Sequence, residues 1–399
     1  MASIPSSAQV VPASPSTPRE LAELLADVVV HGGAVAPLGN STKSGYGNPL
    51  SREVTPISTR KLNRVLAYEP DDMTISVEAG ATIGAVWNEL SPRGQTIPID
   101  VATPESETIG GLIATGLCGA RRYGSGSLRD ALIGIQVAYP DGTLGNAGGM
   151  VVKNVSGFDL MRMHLGAVGT LGVIVSANFK VVPSARGEAT VLVERDSLDQ
   201  LESDRLTVAR GRIRPVSFEA RRTGDGWLEA IRIEGRPATV DQMARELAGR
   251  LAGSRAIPAD ESAAFWAGYA RGEALPNDGQ ALAVQISGRP TQVASTAARS
   301  IAVFESADVE FLDLRVSLGL GTVRCAAKVP EEKTDDVAGA IASLRASDMK
   351  VVLLSAPATV SRCVDAFGFA ETTLELMRPL KRQFDPWSAL NPGRVIPEL

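Results

Sequence analysis

Histidine is almost missing from this chain. His31 and His164 are the only two in 399 residues. That count rules out an H-E-x-x-H metalloprotease helix and any histidine-rich metal centre. A Ser-His-Asp triad would have to recruit one of the two without a G-x-S-x-G turn to present its serine. Cysteine is scarce as well: Cys118, Cys325 and Cys363 stand far apart with no C-x-x-C pair. Zinc or iron–sulfur ligation inside the chain is therefore not expected, and three scattered thiols fit a reducing compartment, the cytoplasm. Positive charge is not concentrated anywhere. The net charge is −5 and no long basic run occurs, so nucleic acid is not an expected partner. No apolar run reaches the roughly 18 residues that a membrane span requires. No apolar stretch precedes Arg19, the first basic residue, so no secretory signal is expected. Neither the phosphate-loop pattern G-x-x-x-x-G-K-[ST] nor a G-x-G-x-x-G between strand and helix is present, which disfavours a classical NAD fold.

What remains is globular: 44% hydrophobic and 21% charged residues, with apolar material enough for two domains. The first 17 residues, rich in Ser, Pro and Ala, read as a disordered arm. Thr17 then caps a helix with Pro18 in its first turn and Leu21, Leu24, Leu25 and Val28 as its apolar face, ended by Gly32-Gly33. Short strands follow at 34–38, 64–68 and 74–78, with a helix at 81–90. Strong branched-apolar strands run over 131–139 and 172–182, and Pro183 breaks the pattern. Beyond it the rhythm changes to strand–helix–strand–strand–helix, seen about twice. The strands are 190–194, 215–222 and 227–234, then 281–287, 309–316, 322–328 and 351–355. The helices are 197–209 and 239–251, then 291–304 and 333–346. This order predicts an α+β domain with an antiparallel sheet and helices on one face. The tail is helical to about Phe384 and then extended.

Three glycine-rich segments carry the chemistry. Ala36 to Asn48 contains no acid and one lysine, Lys43. Its small residues and Ser and Thr hydroxyls suit either an ordinary surface turn or a cradle whose backbone N–H groups hold a diphosphate. Thr108 to Ala120 carries no charge and four glycines. Thr108 can cap a short helix there, and Gly110 and Gly111 permit close approach. The loop leading in is Pro104 to Glu107. The alternative is a glycine-rich helix buried on a sheet. Arg121 to Asp130 then feeds the strand from Ala131, and Tyr139 to Thr143 forms a hairpin turn.

Taken with Leu62 to Leu66, Asp71 to Thr74, Lys153 to Leu160, Gly169-Thr170-Leu171-Gly172, Phe384-Asp385-Pro386 and Asn391 to Arg394, this run resembles the FAD-binding domain of the vanillyl-alcohol oxidase/p-cresol methylhydroxylase superfamily. Within it, the pattern is similar to the E-type FAD-binding subunits of bacterial glycolate oxidases. The resemblance covers about residues 20–182 and the tail. It implies a p-cresol methylhydroxylase-type FAD-binding domain of two α+β subdomains over 18–184, an α+β antiparallel-sheet cap over 185–373 and a segment, 374–399, that returns to the FAD domain. It also implies that Leu38, Gly39, Asn40, Ser41, Thr42, Lys43 and Ser44 hold the diphosphate. Pro104, Thr108, Ile109, Gly110, Gly111, Thr115 and Gly116 line the cofactor, with Ser125, Arg129 and Asp130 beside it. Ile174 meets the adenine end through its backbone, and Asn391 approaches the flavin ring.

Members of the superfamily often attach flavin through a histidine in the first loop. Here that loop reads Asn40-Ser41-Thr42-Lys43, so non-covalent FAD is expected. The implied chemistry is oxidation of a small 2-hydroxy acid, with no metal bound in this chain. The implied partners are a second flavoprotein subunit and an iron–sulfur subunit, through which the complex can sit peripherally at the inner membrane. A stand-alone alcohol or sugar oxidase and a structural subunit with an idle flavin site are the alternatives. A substrate carboxylate calls for a guanidinium, with Arg122, Arg222, Arg315 and Arg324 as candidates. His164 is a candidate base, His31 reads as structural at a helix end, and Asp159 reads as a loop anchor. The catalytic base itself is not identified.

Overall fold

A computed structural model describes residues 12–150, 159–276 and 281–399. The first helix spans Pro18–Val30, and the Glu20 amide donates to Thr17 Oγ1 as the capping pattern predicts. Gly32 takes the left-handed conformation just beyond its end, a backbone state that costs glycine nothing. The part of the expected disordered arm that is described is instead docked. Ala13 bridges Ile57, and Ser58 N–H donates to its carbonyl at 2.7 Å.

Two layers follow from the strand patterns. Val35–Leu38 and Thr55–Ser58 form a small parallel pair. A five-stranded antiparallel sheet runs in the order Val65–Glu69, Thr74–Glu78, Val173–Lys180, Leu132–Ala138, Leu144–Gly148. The Thr74–Glu78 strand is buried on both faces although its residues alternate polar and apolar. Helices Ile83–Leu90 and Ile109–Thr115 pack on this sheet around Ile75, Val77, Ile113 and Phe179. Pro183 does not end the pairing as expected. Val182–Pro183 pairs with Gln95–Thr96 in a separate two-stranded ribbon, an edge position where a missing N–H is tolerated.

The second half makes one eight-stranded antiparallel sheet. Its order is Arg255–Ile257, Gly187–Arg195, Gly226–Gly235, Ser217–Thr223, Glu310–Ser317, Thr322–Lys328, Ala281–Ser287, Lys350–Ser355. Each half of that order is a βαββαβ unit with strands ordered 4-1-3-2, and the two units meet through their second strands, Ala220 opposite Val316. The repeat of element order is thus a repeat of structure. The short strand Arg255–Ile257 completes the first unit, and helix Ala259–Arg271 links it to the second. Helices Leu198–Arg210, Val293–Ser306 and Thr334–Arg345 bury Leu201, Val208, Phe304, Val337 and Ile341 against the sheet.

The chain then returns. Helix Glu371–Phe384 delivers Lys381, 4% exposed, whose ammonium donates to Asp385 at 2.6 Å, to Thr170 O at 2.8 Å and to Leu390 O at 3.0 Å. Asp385 also accepts from the amides of Ala389 and Leu390. This buried latch sets the tail beside the first strand, where Val35 N–H donates to Ala389 O and Asn391 N–H to Val35 O.

Candidate functional site

The two acid-free, glycine-rich segments singled out in the sequence lie against each other. A Cβ placed on Gly39 would overlap the Thr108 hydroxyl, so only glycine lets the first loop meet the start of helix Ile109–Thr115. Between them opens a cleft. Leu38 to Ser44 form one wall, and Thr108, Gly110, Gly111 and Thr115 the facing one. Ile174 and Asn391 close its end with Val168, Gly169 and Arg394. Asn391 is fixed by its Nδ2 donating to Val168 O at 2.8 Å.

The floor of the cleft is backbone. Ser41 has φ +58°, and among the described residues the amides of Asn40, Ser41, Thr42 and Lys43 donate to no protein acceptor. Four consecutive free N–H groups around a left-handed residue form an anion nest. Among the described residues no carboxylate lies in the cleft lining, and the one ammonium there, that of Lys43, pairs with Glu107. Glu107 is itself oriented by the Ala102 amide at 3.1 Å. These residues fit a diphosphate: donors without acceptors, hydroxyls on Ser41 and Thr42, and room made by Gly39 and Gly111. The loop is gripped from the cap side. Asn48 Nδ2 donates to Asp365 at 3.0 Å, the Ala366 amide donates back to Asn48 at 2.7 Å, and Tyr46 packs edge-on against Phe367.

Other expected residues lie outside this cleft. Ile109 is buried in the core under the helix, and Gly116 ends that helix with φ +64°. Pro104 lines a separate groove between the FAD-side loop 96–106 and the cap helix Ala259–Arg271. Ser125 ends the short helix Arg122–Ser125, and Arg129 and Asp130 belong to the next one, Leu128–Ala131. There Asp130 accepts from Ser127 N and Oγ, so its carboxylate serves the local cap rather than the cleft. Of the Lys153 to Leu160 motif, residues 153–158 fall outside the described residues. Asp159 pairs with Arg162 at 2.5 Å.

Two further cavities continue the cleft inward. The first shares Thr42 and Lys43 with it and adds Asp100, Thr103, Cys118, Gly119, Glu273 and Arg324. The innermost shares Cys118, Gly119, Glu273 and Arg324 with that one and adds Arg122, Glu219, Arg315 and Ser317. Three of the four candidate arginines therefore converge on one cavity. Arg222 does not: it pairs with Glu305 at 3.4 Å on the outside of the cap. Arg324 donates to Glu273 at 2.8 Å and to Gln285 at 3.1 Å, and Arg315 lies 4.3 Å over the Tyr269 ring. His164 is also elsewhere. It is 3% exposed, contacts Tyr139 OH at 3.3 Å and stacks edge-on to Phe384, and burial pushes it down to about 4. A neutral imidazole walled off from the cleft is not the base there. His31 is exposed, with Nδ1 2.8 Å from Asp27 O at the helix end, as expected.

The sequence reading missed the acids of the inner cavity. Glu219 is 4% exposed and accepts from Ser317 Oγ at 2.7 Å and Tyr269 OH at 3.1 Å. Burial pushes its carboxyl up to about 8. An acid at a core position of a strand, flanked by Phe218 and Ala220, was the available signal. The junction of the two halves is polar too. Arg121 joins Asp100 and Glu234, and Arg232 joins Glu188 at 2.5 Å under Trp266.

Residues 10–158 match the family model described as FAD binding domain. These residues carry an FAD-binding domain, and FAD is the cofactor of such a domain. The chain is 32% identical over 213 residues to glycolate oxidase subunit GlcE of Escherichia coli (strain K12), covering 53% of this chain and 58% of that protein. It is 26% identical over 206 residues to glycolate oxidase subunit GlcD of Bacillus subtilis (strain 168), covering 52% and 44%. It is 31% identical over 186 residues to D-2-hydroxyglutarate dehydrogenase of Xanthomonas citri pv. viticola, covering 47% and 39%. The matched part thus spans between 39% and 58% of these relatives' lengths. The fold is that of a solved alkyldihydroxyacetonephosphate synthase, with a TM-score of 0.68 at 16% identity over 95% of this chain and 75% of that one.

Proposed function

We propose that this chain is the FAD-binding subunit of a glycolate oxidase-type complex, in which a small 2-hydroxy acid is oxidised to the 2-oxo acid. The observation that carries this reading is the continuity of two unlike cavities: a backbone-lined anion cleft for the cofactor opens inward onto a pocket faced by three guanidiniums. The free amides of 40–43, with the hydroxyls of Ser41, Thr42 and Thr108, would hold the diphosphate. Leu38, Gly39, Ser44, Gly110, Gly111, Thr115, Ile174 and Asn391 would shape the rest of the cleft. With neither His nor Cys in the cleft lining, FAD is held without a covalent bond to such a residue. When bound, FAD supplies a two-electron acceptor. The protein's part is to orient the substrate and manage its charge and proton. Arg324 and Arg122 would receive the substrate carboxylate, since a guanidinium offers a planar pair of donors in a site with little water.

Partners follow from the same reading. Two relatives are named as subunits, and no helix among the described residues is long and apolar enough to cross a membrane. Electrons would leave through a partner flavoprotein and an iron–sulfur subunit, in the cytoplasm or at the inner membrane surface through those partners. The test is to purify the chain with the proteins that accompany it, add glycolate or D-lactate without oxygen, and then precipitate with acid. Bleaching of the flavin band and yellow colour in the supernatant are expected. A flavin unmoved by every 2-hydroxy acid contradicts the reading, and colour kept in the pellet contradicts non-covalent binding.

A further inference from the structure

Oxidation of a hydroxyl carbon releases a proton, and neither histidine is placed to take it. The inner cavities are lined by four carboxylates; Asp100 is paired with Arg121 and Glu107 with Lys43, which leaves Glu219 and Glu273, whose surroundings differ. Both oxygens of Glu219 are occupied, one by Ser317 Oγ and one by Tyr269 OH. Glu273 accepts from Arg324 through Oε1 alone. Its Oε2 has no donor among the described residues and faces the FAD-domain loop, where a Cβ built on Gly119 would stand 3.1 Å from it. Glu273 also lines both cavities, at the point where the cofactor side gives way to the guanidinium pocket.

We propose that Glu273 is the acceptor of the substrate's hydroxyl proton, held in place by the same Arg324 that receives the substrate carboxylate. This rests on the proposed 2-hydroxy acid oxidation. In the step, the C2–H bond breaks with both electrons leaving as hydride for the oxidised flavin. The O–H bond breaks with its pair staying on oxygen to complete C=O, and the proton passes to Glu273 Oε2. Burial raises the Glu273 carboxyl, Arg324 and Arg315 oppose that rise, and Asp100 and Asp313 add to it, which brings a carboxylate nearer to the working range of a general base. The substrate carboxylate would bring one more negative charge to Arg324 and strengthen the pull of Glu273 on a proton. Behind this pair the neutral Tyr269 hydroxyl donates to Glu219, whose carboxyl burial pushes up to about 8.

The experiment uses the FAD-loaded protein with its accompanying subunits, in wild type, Glu273→Gln, Glu273→Asp and Glu219→Gln. Oxalate serves as a non-reacting dicarboxylate, followed by its perturbation of the flavin spectrum from pH 5 to 7, below the range in which Glu219 loses its proton. In wild type, oxalate affinity falls with rising pH as Glu273 ionises. The expected result is loss of that slope in Glu273→Gln and its retention in Glu273→Asp and Glu219→Gln. Flavin reduction by glycolate in a single turnover slows by about 100-fold or more in Glu273→Gln, with partial recovery in Glu273→Asp. An unchanged slope and an unchanged reduction rate in Glu273→Gln overturn the assignment, as does loss of the slope in Glu219→Gln instead. If the wild-type flavin is not reduced by any 2-hydroxy acid, the functional reading fails first and this inference falls with it.

Discussion

The cofactor cleft and the inner cavity are built from opposite materials. The cleft is made of backbone. Glycines, small hydroxyl residues and four free amides occupy two short segments, and among the described residues no carboxylate lies in its lining. The inner cavity is made of charged side chains, Arg122, Glu219, Glu273, Arg315 and Arg324, brought together from a glycine-rich loop, three strands and a helix end. A backbone site tolerates few substitutions that add atoms. A side-chain site tolerates few that remove a partner, because each buried charge left alone costs several kcal/mol. The two regions should therefore fail in different ways, and the latch that closes the cleft should fail most severely of all.

The largest effect is expected at that latch. Lys381→Met leaves Asp385 buried at 0% exposure without its cation and frees the tail that carries Asn391. Urea unfolding should show a loss of about 3–5 kcal/mol, with FAD released early in the transition. Gly39→Val sharpens the contrast, since it adds only hydrocarbon yet would drive the first loop off Thr108. The expected outcome is FAD binding weakened by about 100-fold, roughly 2.7 kcal/mol, with little change in the cap's stability by circular dichroism.

Glu219 gives the inner cavity a pH signature. The folded chain keeps the Glu219 proton to about pH 8, whereas the unfolded chain releases it near 4.5. Between those values the native state binds more protons, so stability falls as pH rises. Glu219→Gln should flatten this loss, and the difference between the two proteins from pH 5 to pH 8 should be on the order of 3 kcal/mol. Equal slopes would mean that the carboxyl is not held neutral. The smallest effect is expected outside both regions. Arg222→Ala removes a half-exposed partner of Glu305 and should change stability by no more than about 0.5 kcal/mol, with no effect on flavin reduction.

The same difference explains what the sequence made legible. Backbone sites advertise themselves locally: the acid-free, glycine-rich runs 36–48 and 108–120 stood out in the sequence, and the structure sets them face to face. Element order was also readable, because hydrophobic period and caps are local, and the doubled βαββαβ order became two halves of one sheet. Arg255–Ile257 escaped notice because three residues carry no period. The family resemblance sets Ser125 to Asp130 beside the cofactor, yet Asp130 turns back onto Ser127. Glu219 and Glu273 were invisible as a pair because their proximity is created only when the strand Ser217–Thr223 and the end of helix Ala259–Arg271 come to line one cavity. No spacing within either segment encodes that meeting.

The account depends most on the claim that the amides of 40–43 hold a diphosphate. Titrating the flavin-free protein with FAD, ADP and riboflavin tests it directly. FAD should bind tightly, ADP should bind more weakly and compete with it, and riboflavin, which lacks the two phosphates, should bind at least about 100-fold more weakly than FAD. Riboflavin binding as tightly as FAD, with ADP unable to compete, would contradict the account.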